Sequence, residues 1–371
     1  MLDLHFKTSR PFTLGVEVEM QILAHDSLNL APAAPKILES VPDTFRHRIK
    51  RELLQSMIEI LTGVCSSVSQ VEDDLGEGID MARELARRHD CLLHGASLHP
   101  FAMAGEQQIM DDERYLRIME ELQLVGRRFI TQGLHIHVGI PDRDTAIHVC
   151  DGVRPYLALL LALSCSSPYY QGEDTGFASY RTKLFEALPL AGSSGFLGSW
   201  QNYENTVRQL RKYGIIRTIR DIWWDVRPHP DFGTIEIRVC DLPCRFDEIL
   251  ALTAVAQALT ALLADGVLRP VPVNSQILRF NTWQACRHGL EGTFVDIPGL
   301  ISDQVLPIRR AIGLLLDRLE PQLRRFGNGS RISTVEDILS IGTGSDRQRR
   351  IYQQTGNFKT MIKQLYRDFP A

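Results

Sequence analysis

Glu17 and Glu19 stand two residues apart in Phe12-Thr-Leu-Gly-Val-Glu-Val-Glu-Met-Gln21, and Glu236 and Arg238 share that spacing in Gly233-Thr-Ile-Glu-Ile-Arg-Val239. A third run, Gly133-Leu-His-Ile-His-Val-Gly139, repeats it with His135 and His137. On a β-strand, residues i and i+2 point to the same side, so three such strands aim carboxylates, imidazoles and a guanidinium into one space. Carboxylate oxygen suits a hard divalent cation and the guanidinium fork suits phosphate, which together describe a metal and phosphoryl site. Glu17, Glu59 and Glu236 also alternate with Val16, Val18, Ile58, Ile60, Ile235 and Ile237, which by the same period fill the opposite face. A lone strand glutamate is ordinarily a solvated surface residue. A sheet face carrying several acids without matching lysines repels itself unless a cation joins it.

The elements that must present these side chains follow from pattern. Glu52 to Val64 reads as strand, Val71 to His89 as an amphipathic helix with Val71, Leu75, Ile79, Ala82, Leu85 and Ala86 on one side, and Cys91 to Leu93 as a buried strand. A helix opens at Asp111-Asp-Glu-Arg-Tyr115 and runs to Arg128, with acids in its first turn and Arg127 and Arg128 in its last. Thr145 to Cys165 is expected to be helical, Ser166 to Ser199 to be a long loop suited to a lid, and Trp200 to Ile219 to be helical. Ile222 to Arg227 and Thr234 to Val239 read as strands joined through Pro228-His-Pro230, and nearly everything beyond Phe246 as helix. No linker, repeat or low-complexity segment interrupts the chain. Residues 1–371 are therefore expected to form one α+β domain with its strands in the first two thirds.

Bulk properties narrow the function. The 44% hydrophobic and 23% charged composition is that of a globular protein, and a net charge of -4 leaves no electrostatic footprint for nucleic acid or an anionic membrane. The seven cysteines are odd in number and scattered, as reduced thiols of a cytoplasmic protein would be. Cys240 and Cys244 alone are too few ligands for zinc and read as packed free thiols. The start, Met1-Leu-Asp-Leu-His-Phe-Lys7, lacks the pattern of a signal peptide. The apolar runs Tyr156 to Cys165 and Ile249 to Ala264 fall short of the ~20 residues that span a bilayer and read as core helices.

Several longer motifs carry a resemblance. They are Phe12 to Gln21, Ser56-Met-Ile-Glu-Ile60, His99-Pro-Phe101, Asp112-Glu-Arg-Tyr115, His135-Ile-His-Val-Gly139, Ser167-Pro-Tyr169 with Phe177-Ala-Ser-Tyr-Arg181, Trp224-Asp-Val-Arg-Pro228, Phe232 to Arg238, and Phe280-Asn-x-x-Gln-Ala-Cys-Arg287. In this order and spacing they resemble the type 2 glutamate-cysteine ligase family and, within it, the bacterial carboxylate-amine ligase group. The resemblance implies a glutamine-synthetase-type catalytic fold, a curved and mainly antiparallel sheet forming a funnel with helices outside. It implies an ATP-dependent ligase with weak glutamate-cysteine ligase activity, activating the glutamate γ-carboxylate as an acyl phosphate that an amine attacks. Matched residue by residue, Glu17, Glu19, Glu52, Glu59, His135 and Glu236 are the magnesium or manganese shell. Arg238 and Arg227 fall at the ATP phosphates, and Arg114 and Arg181 at substrate carboxylates, with Arg238 and Arg181 closest to the chemistry. Arg181, in the long loop, is expected to act as a gate. Gln55 departs from the glutamate that relatives often carry, which bears on how many metals bind. His137 either joins the metal or donates to a neighbouring carboxylate.

Two rival readings remain. A metal-dependent amide hydrolase would also use His-x-His and carboxylates, but it has little use for Arg114, Arg181, Arg227 and Arg238. A non-catalytic nucleotide-binding protein on the same fold would be marked by loss of acids, and only Gln55 hints at that. The amine acceptor is not fixed by these motifs, and strand edges in such a sheet make a homodimer a reasonable expectation.

Overall fold

The structure, a computed structural model, describes residues 4–302 and 305–369. Met1 to Asp3, the beginning of the segment weighed above as a leader, lie outside the described residues. Strand β1 (Leu14–Ala24) pairs with three other strands inside a seven-stranded sheet. Its alternation explains it: Leu14, Val16, Val18, Met20 and Ile22 are buried on one side, while Glu17 and Glu19 lie on the other. The remaining strands are β2 (Ile49–Arg51), β3 (Met57–Leu61), β4 (Cys91–His94), β5 (Leu134–Gly139), β6 (Val226–His229) and β7 (Thr234–Ile237). Their order is β6-β7-β5-β1-β3-β2, with β4 also on β1, and every pairing in this sheet is antiparallel. Register then sets the chemistry. Glu17 lies opposite His135, Glu19 opposite Glu59, and Glu236 opposite both His137 and Arg227.

Helices cover the apolar side. Helix α1 (Val68–Arg88) buries Val71, Leu75, Ile79, Ala82, Leu85 and Ala86 against β1 and β3, as its period requires. Helix α2 (Glu113–Leu122) buries no residue fully and stands over the polar side. Helices α3 (Arg143–Val153) and α4 (Leu157–Ser164) pack with α6 (Phe246–Ala264), in which every residue but Asp247 and Ala264 is buried. The stretches Arg143–Ser164 and Phe246–Ala264 are long and apolar enough to cross a membrane, but 94% of each apolar window is buried inside the protein, as core helices are. The seven cysteines are all free and buried.

Several expectations need correction: the strand read over Glu52 to Val64 is confined to Met57–Leu61, and Pro228 and His229, read as a connection, lie within β6. The helix from Asp111 does not run through to Arg128: Gln123, at a positive φ of 48°, ends α2, and a separate turn of helix covers Leu124–Arg127. The Thr145 to Cys165 helix is divided by a 3-10 turn at Arg154–Tyr156, where Pro155 has no N–H to donate. Trp200 to Ile219 is helical only to Lys212. Most consequentially, Ser166 to Ser199 is not a free loop. It contains helix α5 (Tyr180–Glu186), a short ladder between Tyr169–Tyr170 and Glu173–Asp174, and Ala191–Gly192, which pairs with Trp223–Trp224. Beyond Phe246 the described residues are mostly helical, but a small hairpin of Thr293–Val295 and Val305–Pro307 places two strands in the last third of the chain, where none was expected. The connection between β6 and β7 needs Gly233, whose φ is 63° and whose position would put a Cβ 2.0 Å from the Lys7 carbonyl oxygen.

Candidate active site

The polar side of the sheet and α2 enclose a cavity of about 420 Å³. The sequence-predicted residues Glu17, Glu19, Glu52, Glu59, His135, His137, Glu236, Arg114, Arg227 and Arg238 all line it. Three groups of side chains bring ligand atoms within 4.8 Å of one another: Glu17, Glu59 and His135; Glu17, His137 and Glu236; and Glu19, Glu52 and Glu59. At that separation two ionised carboxylates repel by about 3–4 kcal/mol at an effective dielectric of 20, so several adjacent pairs call for a cation. The donor set of carboxylate oxygens with imidazole nitrogen fits a hard divalent ion. His137 supports the fit: its Nδ1 lies 2.9 Å from Thr234 Oγ1, while its buried Nε2 has no hydrogen-bond partner and lies 3.5 Å from Glu17 Oε1 and 4.0 Å from Glu236 Oε1.

Electrostatics divides the acids into two sets. Burial raises the Glu17 carboxyl, but His135, whose Nδ1 lies 3.2 Å from it, and the charge of the nearby His137 outweigh it and hold the group far below the usual range. Burial likewise opposes ionisation of Glu236, and the charges of Arg227 and Arg238 overcome it. Arg227 Nε donates to Glu236 Oε2 at 2.6 Å and its Nη1 to the carbonyls of Ile222 and Ile219 at 2.5 and 3.0 Å; Arg238 Nη1 donates to Glu236 Oε1. The other three acids lack such partners. Burial pushes Glu19 up to about 8, with the Glu52 charge adding to it, and pushes Glu52 and Glu59 upward too. His135, buried beside the Arg238 cation, is lowered to about 4 and is a neutral imidazole at physiological pH.

The arginines are placed unequally. Arg114, near the start of α2, donates from Nη2 to the Arg220 carbonyl at 3.1 Å and lies 3.7 Å from Asp221 Oδ1, so its ion-pair partner comes from a distant segment and not from its own helix. Arg181 does not line this cavity. It is buried on α5, with Nη1 and Nη2 near the carbonyls of Val239 and Arg238 at 3.4 and 3.3 Å and its guanidinium over the Phe185 ring. A mobile gate is therefore the wrong picture of Arg181: the segment is held by Asp241, which accepts from Ser166 N–H and the Ser167 and Ser179 hydroxyls at 2.9, 2.7 and 2.8 Å. Gln55 lies outside the cavity lining, its amide donating to the Ile109 carbonyl at 3.0 Å. Two contributors had gone unassigned. Gly133 N–H donates to Glu19 Oε2 at 2.6 Å, and a Cβ there would lie 2.4 Å from Arg181 Nη2; its only sequence signal was its place before the His-x-His run. Asp241 had none, since nothing local marks a carboxylate whose partners are 62 to 75 residues away.

Comparison with solved structures gives the same fold. The protein superposes on a glutamate–cysteine ligase from Francisella tularensis in complex with AMP at a TM-score of 0.73 and 13% identity, covering 99% of this chain and 90% of that one. It superposes on a bifunctional glutathione synthetase from Pasteurella multocida at 0.70 and 14%, covering 96% of this chain and 52% of that one. Relatives in sequence include a "Putative glutamate–cysteine ligase 2" from Gloeobacter violaceus, 38% identical with 98% of both chains covered, and one of the same name from Thermobifida fusca, 35% identical over 100% of this chain and 94% of that one. The protein is an ATP-dependent ligase of the carboxylate–amine class. The family model for Glutamate-cysteine ligase family 2 (GCS2) matches residues 13–366, and the chain belongs to that family.

Proposed function

We propose that this enzyme activates the γ-carboxylate of glutamate, or of a closely related acid, with ATP and passes it to an amine, cysteine being a weak substrate. The observation that carries the reading is the convergence of Glu17, Glu19, Glu52, Glu59 and Glu236 with two imidazoles in one cavity, with Arg238 among them. A carboxylate oxygen attacks the γ-phosphorus of ATP, the bond to ADP breaks, and an acyl phosphate forms. The amine nitrogen then bonds to the acyl carbon, phosphate leaves with the C–O electron pair, and the ammonium protons pass to a base and to solvent. Magnesium or manganese would be held by Glu17, Glu19, Glu52, Glu59, His135 and Glu236, where it would neutralise phosphate charge. Arg238, fixed by Glu236, would meet the transferring phosphoryl group. Arg227, which grips Glu236 from the adjoining strand, positions that carboxylate and stands near the phosphates. Arg114 would hold the carboxylate of the donor acid. An amide hydrolase would leave this arginine set without a role. We read the chain as one catalytic domain, supported by a core that runs from Phe6 to Phe369, and as a cytoplasmic enzyme able to form a homodimer.

Product analysis tests the reading. One ADP and one phosphate per amide, with a hydroxamate when hydroxylamine is supplied, are the expected results. AMP and pyrophosphate in their place would overturn it.

A further inference from the structure

A second cavity, of about 470 Å³, adjoins the first and shares Phe185, Trp223 and Arg238 with it. Asp225 lines it, in the link between the Trp223–Trp224 ladder and β6. Its backbone is fixed, the N–H donating to the Gly192 carbonyl at 2.9 Å and the carbonyl accepting from Arg238 N–H at 2.8 Å. Its carboxylate, by contrast, has no hydrogen-bond or ion-pair partner among the described residues. Arg154, Arg181 and Ser194 line the same cavity and contribute buried Nε, Nε and Oγ atoms that are also without partners. A buried donor left unpaired costs about 1–3 kcal/mol, and several of them beside an unpaired acid describe the imprint of a ligand. A ligand that answers both signs carries an ammonium for the acid and a carboxylate for the guanidinium groups, which is an α-amino acid.

The first cavity is committed to ATP phosphates and the donor carboxylate, so the amine must reach the acyl carbon from another side. Arg238, standing in the wall common to both cavities, marks where the two meet. We propose that the second cavity is the chamber of the amino-acid acceptor and that Asp225 binds its ammonium and takes the proton that frees the nitrogen lone pair. This rests on the ligase reading above and adds where the acceptor sits and the residue that deprotonates it. The steps balance: the ammonium N–H bond breaks towards the Asp225 carboxylate, the nitrogen bonds to the acyl carbon, phosphate departs with the C–O electrons, and the second nitrogen proton leaves to phosphate or water. Burial, partly offset by Arg181, pushes the Asp225 carboxyl up to about 6, a better base than an ordinary aspartate that is still ionised at neutral pH.

Hydroxylamine tests this because it is uncharged at neutral pH and needs no base. Wild-type enzyme is supplied with ATP, glutamate and each common amino acid in turn, then with hydroxylamine. The variants Asp225→Asn and Asp225→Ser are assayed with the best amino acid and with hydroxylamine. Loss of about 100-fold or more in amino-acid-dependent ADP release, with hydroxamate formation kept within about threefold, is expected of both variants. Equal losses with both nucleophiles make Asp225 structural and overturn the proposal, as does full activity in both. A wild type that forms hydroxamate but accepts no amino acid overturns the acceptor class alone. A wild type that forms no hydroxamate removes the ligase reading beneath it.

Discussion

Replacing Glu19 by glutamine should stabilise the metal-free protein at alkaline pH while weakening its hold on metal. Glu19 lies in the group with Glu52 and Glu59 whose ligand atoms are within 4.8 Å of one another. Burial, with the charge of Glu52, carries its carboxyl from 4.5 up to about 8, against the pull of Arg181 and Arg238. A carboxyl raised on folding adds stability that is complete below its unfolded pKa and is lost as the pH rises through the folded value, so the window runs from 4.5 to about 8. At 1.36 kcal/mol per unit the full effect is of the order of 5 kcal/mol. Glutamine keeps an oxygen for the Gly133 N–H and never ionises, so it should recover most of this at high pH and none at low pH. With an unfolding entropy of about 2.1 cal/mol/K per residue, 5 kcal/mol corresponds to a Tm rise of about 6 °C for a chain of 371 residues. Calorimetry in EDTA should show Glu19→Gln melting about 6 °C above wild type at about pH 9 and nearly level with it at about pH 5. Millimolar magnesium should then raise the wild type more than the variant. The reasoning fails if the variant melts lower at both pH values, or if the offset is the same at both.

Gly133→Ala should lower kcat/KM at least tenfold with little loss of metal affinity, because its Cβ would displace Arg181 Nη2 from 2.4 Å while the Glu19 contact survives; steady-state kinetics with a magnesium titration would show it. Arg114→Ala should raise the apparent KM for glutamate by about 10- to 100-fold with a smaller change in kcat, since a carboxylate clamp of this kind is worth about 1.5–3 kcal/mol; an unchanged KM would release Arg114 from that role. Gln55→Glu should leave magnesium affinity unchanged and cost about 1–2 kcal/mol of stability, because it sets a carboxylate against the Ile109 carbonyl, and a tighter metal site by calorimetric titration would contradict that placement.

Much of the site was legible because strands encode it locally. The i, i+2 acids and histidines of β1, β5 and β7 needed only the pleat to share a face, and the alternating Val and Ile residues named the opposite side. What a strand cannot announce is its register, and it is register that sets Glu236 opposite both Arg227 and His137. The region from Ser166 to Ser199 was misread for a related reason. Its glycines, serines and prolines carry loop chemistry, yet its order comes from Asp241, Gly133 and the Val239 carbonyl, all distant in sequence. The break at Gln123 was likewise invisible, since glutamine is an ordinary helix residue and only its positive φ ends α2.

The burial of all seven cysteines gives the molecule an internal gauge of its own breathing. Cys65 packs beside β1, Cys150 and Cys165 lie in or just after the core helices α3 and α4, Cys240 and Cys244 follow β7, and Cys286 lies in the helix Ser275–His288, which packs on α4. Burial lifts the Cys65 thiol to about 11 and the Cys240, Cys244 and Cys286 thiols to about 12, so none is a ready nucleophile while the chain is closed. A thiol reagent therefore reads only excursions in which a given layer opens, and the rate at each cysteine reports the free energy of that opening. The same seclusion lets the enzyme work among free thiols and disulfides without being drawn into exchange with them.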